Sequence, residues 1–280
     1  MKYTKHSKTA LLFLIVFLTS SCKDEGFGEL SEKQVYLIGS GEPIEKETSF
    51  DQSINKTSIS IYCSGMELPT SDIQLQLGID ETILEKHNST LGDNDEKFTM
   101  LPTETYTQNG LVAKILSGNP YGLFNFEINT TNLDGYKTYA IPFRLIKSEP
   151  YPLNNKMSTL LYKLNLVNRF SGDYRMIGQI DANTISSIKS IRAASANEVI
   201  IFTDNKSEIM TNYDYRITLK VNTDNTVSIS SKTLSVQQEG SNTFDTATET
   251  FSLNYSYTDP KTKTIKKIKE SLVKEKIIIK

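Results

Sequence analysis

Few residues in this chain of 280 could do acid–base or nucleophilic chemistry. There are two cysteines, Cys22 and Cys63, and two histidines, His6 and His87. Cys63 ends the run Ser58-Ile59-Ser60-Ile61-Tyr62-Cys63, where strand alternation puts its thiol on the face of Ile59 and Ile61. A buried, inert thiol is expected there rather than a nucleophile. A Ser–His–Asp triad or a Cys–His dyad in the body of the chain would have to run through His87, and no Gly-x-Ser-x-Gly occurs. A body with one histidine cannot build a zinc site that needs two. Neither Gly-x-Gly-x-x-Gly nor a phosphate loop is present. Carboxylate-only chemistry, as in glycosidases, is the one common enzyme class that composition leaves open, but no motif groups the acids. Asp93-Asn94-Asp95-Glu96 offers oxygen atoms of the kind calcium takes, yet without the spacing of a known loop, and it reads as a solvated turn. The expectation is no enzymatic activity, no cofactor and no metal site.

The one cysteine placed for chemistry is Cys22. Lys2, Lys5 and Lys8 make a basic leader, an apolar run follows from Ala10 to Leu18, and Thr19-Ser20-Ser21 lead into the cysteine. Charged, hydrophobic and small-residue regions in that order are the layout of a secretory signal. The apolar run is shorter than the ~20 residues that span a bilayer. Its ending resembles the lipoprotein signal, although Thr19 stands where Leu is usual. The resemblance implies cleavage before Cys22 and lipidation of its thiol, so residues 1–21 are a signal peptide and the membrane is a partner through the N-terminal lipid. Lys23-Asp24-Glu25 resembles the signal that takes Bacteroidota lipoproteins to the exterior face of the outer membrane. With Cys22 lipidated, Cys63 is the sole thiol, and no intrachain disulfide can form. Asp245-Thr246-Ala247 resembles the O-glycosylation consensus of exported proteins from the same phylum.

These residues need elements to hold them, and the elements read as strands. Ile73, Leu75, Leu77 and Ile79 alternate with polar residues and Gly78; Phe124, Phe126 and Ile128 alternate likewise. Ile141, Phe143 and Leu145 form a third face, and Leu160, Tyr162, Leu164 and Leu166 a fourth. Turn signals separate them at Asn109-Gly110, Ser117-Gly118-Asn119-Pro120, Asp134-Gly135 and Glu149-Pro150-Tyr151-Pro152. One short helix is expected over Asp80 to Asn88, with Asp80 as N-cap and Ile83 and Leu84 facing inward. Ser148 to Asn155 reads as a hairpin loop rather than a linker, because strands of matching strength flank it. Beyond Phe170-Ser171-Gly172-Asp173-Tyr174, strands are expected around Arg175–Ile180, Val199–Phe202, Tyr213–Val221, Thr226–Ser231 and Thr250–Tyr257. Ile265 to Ile279 fits either a helical stripe or a strand and is read as strand. The fold class is therefore all-β: an immunoglobulin-like antiparallel sandwich over 33–167, after a tether at 22–32, then a second antiparallel β domain, small barrel or sandwich, over 168–280. With 31 basic and 33 acidic residues, no basic field argues for nucleic acid, and the lysine-rich stretch from Lys261 reads as a solvated edge.

A family resemblance rests on Val35-Tyr36-Leu37, Asp72-Ile73-Gln74-Leu75, the Asp80–Asn88 helix, Met100-Leu101-Pro102, Tyr139 to Phe143, and Asn154-Asn155 before Thr159 to Leu166. These resemble the N-terminal β-sandwich module of glycan-utilisation lipoproteins of Bacteroidota, also found ahead of some endo-β-N-acetylglucosaminidases. Phe170 to Tyr174 and Phe251 to Tyr257 resemble the β-rich C-terminal domain that follows it. The resemblance implies a non-catalytic cell-surface lipoprotein that binds a glycan beside a porin-type importer of the outer membrane. Sugars are recognised by an aromatic face under the pyranose ring, with amides and carboxylates on its hydroxyls. The chain has no Trp, so tyrosine must supply the ring. Tyr121 and Tyr151 fall in expected loops, with Asn119, Asn154 and Asn155 as neighbouring amides, and these five are the ligand-binding candidates. The alternative is a structural or adhesin-like lipoprotein that docks on an outer-membrane complex without binding sugar.

Overall fold

The computed structural model describes residues 32–108, 110–206 and 210–275. The leader, Cys22, nearly all of the tether and Ile277-Ile278-Ile279 lie outside the described residues.

Two sheets are drawn from the first part of the chain. One has the order β1 (Val35–Leu37), β3 (Ile54–Cys63), β8 (Tyr121–Asn129), β6 (Tyr106–Gln108). The other has the order β2 (Ile44–Ser49), β10 (Thr159–Val167), β9 (Tyr139–Glu149), β4 (Ile73–Ile79), β7 (Val112–Ile115), with β5 (Thr99–Met100) beside β9. Successive side chains leave a pleated strand on opposite faces, so β3, β4 and β8 alternate buried and exposed residues, whereas β9 and β10 are buried on both faces where α1 covers them. The inward sets meet in one core, where Phe124 and Phe126 of the first sheet contact Phe143 and Tyr162 of the second with ring centres 5.3–5.8 Å apart. Thr57 and Tyr162 share a hydrogen bond of 2.6 Å across the sandwich, which satisfies a tyrosine hydroxyl inside the core. The expected hairpin loop is a hairpin: β9 and β10 pair antiparallel with Leu160 opposite Phe143. Two parallel pairings, β2 with β10 and β5 with β9, join otherwise antiparallel ladders.

One helix, α1 (Glu81–Thr90), follows β4, and Asp80 caps it by accepting from the Thr82 N–H at 3.1 Å. The other Asp80 carboxylate oxygen holds Arg144, and the bonds from Thr82 and then Arg144 keep its pKa below the ordinary carboxylate value. Leu84 packs on Ala140 and Leu161, so α1 covers the second sheet and leaves the first one open.

The third sheet contains β11 (Gly172–Ile180), β12 (Asn183–Ala193), β13 (Glu198–Phe202), β14 (Arg216–Val221), β15 (Val227–Ser230), β16 (Val236–Gln238), β17 (Thr243–Asp245), β18 (Thr250–Thr258) and β19 (Ile265–Lys274). Its order, β15-β14-β13-β12-β11-β19-β18-β16, curls until its ends approach: Thr226 bridges Thr243, and the Ile229 N–H donates to Gln238 Oε1 at 3.0 Å. The result is a nearly closed barrel, filled by Phe170, Tyr174, Phe251, Tyr255 and their neighbours. The β14 region differs in detail from its sequence reading, since residues 210–215 form a 3-10 turn before the strand begins. The Ile265 segment is strand β19, paired along its length with β18 and β11. Inside the barrel Lys189 Nζ donates to Glu270 at 2.6 Å, and the Tyr255 hydroxyl donates to the other carboxylate oxygen at 3.0 Å.

The loop at 133–138 joins sandwich to barrel. The Gly135 N–H donates to Ala194 O, and its backbone lies so close to Ala193 and Ala194 that no Cβ would fit. Tyr136 hydrogen-bonds Thr218 and lies under the Lys232 ammonium, 3.7 Å from the ring centre.

Candidate functional site

Alternation decides what the open sheet presents to solvent. In β3 Ile59, Ile61 and Cys63 are buried, so Lys56, Ser58, Ser60 and Tyr62 point outward. In β8 Phe124, Phe126 and Ile128 are buried, which leaves Tyr121, Leu123, Asn125 and Glu127 outside. In β1 Tyr36 lies between buried Val35 and Leu37 and points the same way.

Register then assembles these residues into rows. Tyr36 sits opposite Tyr62, and Tyr62 opposite Tyr121, so three tyrosines form one line across three strands. Ser60 with Leu123 makes the next row, Ser58 with Asn125 the third, and Lys56, Glu127 and Thr107 the fourth. At ~3.3 Å per residue, the tyrosine row and the Lys56 row are about 20 Å apart along the strands. The Tyr36 and Tyr62 rings are 5.5 Å apart and tilted by 51°, while Tyr121 is 55% exposed. Burial, reinforced by Tyr62 and Cys63, raises the pKa of Tyr36, so its hydroxyl stays neutral and can donate or accept. At the far end Lys56, Ser58, Thr107, Asn125 and Glu127 line a shallow groove of 490 Å³. There the Lys56 ammonium stands 3.8 Å from the Glu127 carboxylate. The face thus grades from aromatic to polar along β3 and β8.

The five residues singled out from sequence lie at the tyrosine end of the sandwich. Tyr121 is in the tyrosine row, at the start of β8 rather than in a loop. Asn119 is exposed two residues before it, its N–H bonded to Leu116 O at 3.0 Å. The Cys63 N–H donates to Pro120 O, the Val35 N–H to Pro152 O, and the Asn154 N–H to Val35 O, which ties both loops to the ends of β1 and β3. Tyr151 is half-buried against the core beneath the Lys33 ammonium, 5.6 Å from its ring centre. Asn154 Oδ1 accepts from the Lys156 N–H at 3.1 Å and caps a short 3-10 turn, while Asn155 is exposed. Among the described residues no hydrogen bond or ring contact joins Tyr151, Asn154 or Asn155 to Tyr121.

Tyr36 and Tyr62 escaped the sequence reading, although their signal was present: each lies between two residues that turn out buried. What the sequence lacked was the pairing partner, because only the register puts Tyr36, Tyr62 and Tyr121 side by side.

Other chemically suggestive residues are engaged elsewhere. Burial raises the pKa of the Cys63 thiol. His87 packs on Phe98 with ring centres 4.6 Å apart. Asp95 accepts from the Gly92 N–H, and Glu96 reaches across to Arg192 of the barrel at 3.0 Å. That ion pair lies in a second concavity, a cleft of 430 Å³ between the domains, where Lys163 also holds Glu45 at 2.8 Å. In the cleft Glu96 is paired with Arg192 and Glu45 with Lys163, each pair more enclosed than the Lys56–Glu127 pair of the open sheet. Asp245 accepts from the Ala247 N–H at 2.8 Å and from the Thr248 hydroxyl, so Asp245-Thr246-Ala247 forms an exposed turn.

A family model described as an N-terminal domain matches residues 31–152, and one described as a C-terminal domain matches residues 158–273. Their boundary falls just before β10, which hydrogen bonding places in the sandwich. No curated protein matches the chain. A protein of unknown function from Bacteroides ovatus has a similar structure, with a TM-score of 0.68 at 15% identity over 88% of this chain and 92% of that one. A multidomain protein including DUF1735, from the same species, aligns at 0.62 and 15% identity over 86% and 92%. An auxiliary nutrient binding protein from Bacteroides thetaiotaomicron aligns at 0.60 and 13% identity over 81% and 89%. At these identities the likeness is one of fold.

Proposed function

This chain belongs to the family that joins such an N-terminal β-sandwich to a β-rich C-terminal domain, and from that premise we propose a non-catalytic cell-surface lipoprotein that captures glycan. The observation that carries the proposal is the row of Tyr36, Tyr62 and Tyr121 on the uncovered face of the first sheet. Aromatic faces stack on the apolar side of a pyranose, and the amide, hydroxyl and carboxylate groups beyond them suit its hydroxyls. Glycoside hydrolysis needs two carboxyl groups astride the bond, and the outward rows from Tyr36 to Thr107 carry Glu127 alone, which supports capture without cleavage. The fold shared with an auxiliary nutrient binding protein supports the same reading.

Cys22 is proposed as the lipid anchor in the outer membrane, facing the exterior. Nine residues lie between it and Glu32, a reach of at most about 35 Å. Glu32 O accepts from the Ser64 hydroxyl at the tyrosine end, which supports an orientation with that end towards the membrane. A porin-type importer is the proposed partner there. Replacing Cys22→Ser should move the protein from the membrane fraction to the soluble one, and protease added to intact cells should digest the wild type. The binding test is a broad glycan array probed with the mature chain and with its Tyr121→Ala and Tyr62→Ala variants. Binding that disappears in the variants while their melting is unchanged supports capture, and an array without hits rules it out.

One observation favours the docking alternative. Met66 is 90% exposed, and Leu68 and Leu116 are also exposed, in two loops joined by the Gly118 N–H bond to Pro69 O at that same end. An apolar loop pair of this kind suits a protein or membrane surface. Crosslinking from Met66 to an outer-membrane protein, with an array that shows no hits, would establish that reading in place of glycan capture.

A further inference from the structure

We propose that the ligand is an extended, neutral glycan chain lying along β3 and β8, one end on the tyrosines and the other over Lys56 and Glu127. This rests on the glycan-capture reading above and narrows its ligand class. A single terminal sugar would be satisfied by the tyrosine row, which is about 10 Å wide at the usual strand spacing. That row is closed on its β1 side, where Leu153 bridges Val35. Hydrogen-bonding side chains continue in the other direction, along the strands: Ser60, then Ser58 with Asn125, then Lys56 with Glu127. Outward rows recur every second residue, and after the Ser60 row, which the exposed Leu123 shares, each one carries hydrogen-bonding groups along a path several sugar residues long.

Charge narrows the class. Between Tyr36 and Glu127 the outward rows hold one ammonium and one carboxylate, at 3.8 Å and with side chains 84% and 44% exposed. The balance gives no attraction for a polyanionic chain. A solvated pair of this kind contributes little to stability and is free to turn to hydroxyl groups instead.

The test measures affinity by calorimetry for the mature protein with glucose and mannose oligosaccharide ladders, from monosaccharide to hexasaccharide. An oligogalacturonide ladder serves as the charged comparison. Affinity for one neutral ladder should climb from the disaccharide to the tetrasaccharide and exceed that for the charged one. Asn125→Ala and Glu127→Ala should weaken the tetrasaccharide by roughly 2- to 10-fold each, one hydrogen bond's worth, and leave the disaccharide unchanged. Tyr121→Ala should weaken every length. These positions are exposed, so melting temperatures should hold in all variants. Affinity that is flat with length, or unaffected by Asn125→Ala and Glu127→Ala while Tyr121→Ala abolishes it, overturns the extended chain and leaves capture on the tyrosines standing. Preference for the charged ladder overturns it too. No binding to any ladder, or binding indifferent to Tyr121→Ala, removes the glycan site itself and this proposal with it.

Discussion

In the sandwich Tyr36, Tyr62 and Tyr121 point out of the open sheet, whereas in the barrel Tyr174, Tyr215, Tyr255 and Tyr257 point into the core. The same side chain therefore meets two environments. The barrel rings are at most 2% exposed and fill its interior, with hydroxyls bonded to Phe170 O, to Glu270 or to Asp259 where partners are at hand. The outer rings are partly wet and lack that enclosure. The barrel's core tyrosines are therefore structural, as Tyr162 is in the sandwich core, and the three on the open sheet are available. A nearly closed barrel needs large side chains to fill it, but an open sheet face gains little stability from large rings.

Breaking the barrel's buried polar group should have the largest effect. Lys189 and Glu270 side chains are 5% and 0% exposed, and Lys189→Ala leaves a buried carboxylate without its cation. Urea denaturation should show a loss of about 3–5 kcal/mol. Replacing Lys189, Glu270 and Tyr255 together by apolar residues of similar size should recover most of it, because no charge then remains buried. Tyr255→Phe alone removes the donor to Glu270 and should cost about 1–3 kcal/mol. Tyr121→Phe on the open face should change stability by less than about 0.5 kcal/mol. If the two tyrosine substitutions cost the same, the contrast between the domains fails.

Alkaline titration sharpens the contrast. Burial pushes Tyr257 up to about 12 and also raises Tyr174 and Tyr255. A folded-state pKa above the unfolded one gives stability that is complete below about pH 10 and lost as pH rises through the folded value. Barrel stability should therefore fall between about pH 10 and pH 12, as unfolding followed by circular dichroism along an alkaline titration would show. At the other end of the scale, Asp80 is held low by Thr82 and Arg144. Its cap on α1 is complete above the ordinary carboxylate pKa and lost as pH falls below about 4. Asp80→Ala should cost ~1 kcal/mol at neutral pH and nothing extra in acid. The smallest effect is expected for Asn125→Ala, invisible to melting and seen in binding alone.

The strands themselves were legible because alternation is local: Phe124, Phe126 and Ile128, or Phe251, Leu253 and Tyr255, declare their face within five residues. Asp80 was legible as a cap for the same reason. Strand β12 was not, because Lys189 points inward and Ile188 outward, which hides the alternation until Ile191. Among the candidate site residues, Tyr121 could be singled out, but as a loop residue. Tyr151, with the same Pro-flanked sequence context, proved half-buried against the core. A flanking proline marks a turn and says nothing about which side of the turn the ring packs on.

The sequence alone carried the fold class, the buried state of Cys63 and the single histidine of the body. Tertiary structure decided the rest: which strands are neighbours, in what register, and which sheet α1 covers. The reason is range. Side-chain direction follows from two residues of backbone, whereas Tyr36 meets Tyr62 and Tyr121 only after β1, β3 and β8 have paired across stretches of chain that carry no record of one another.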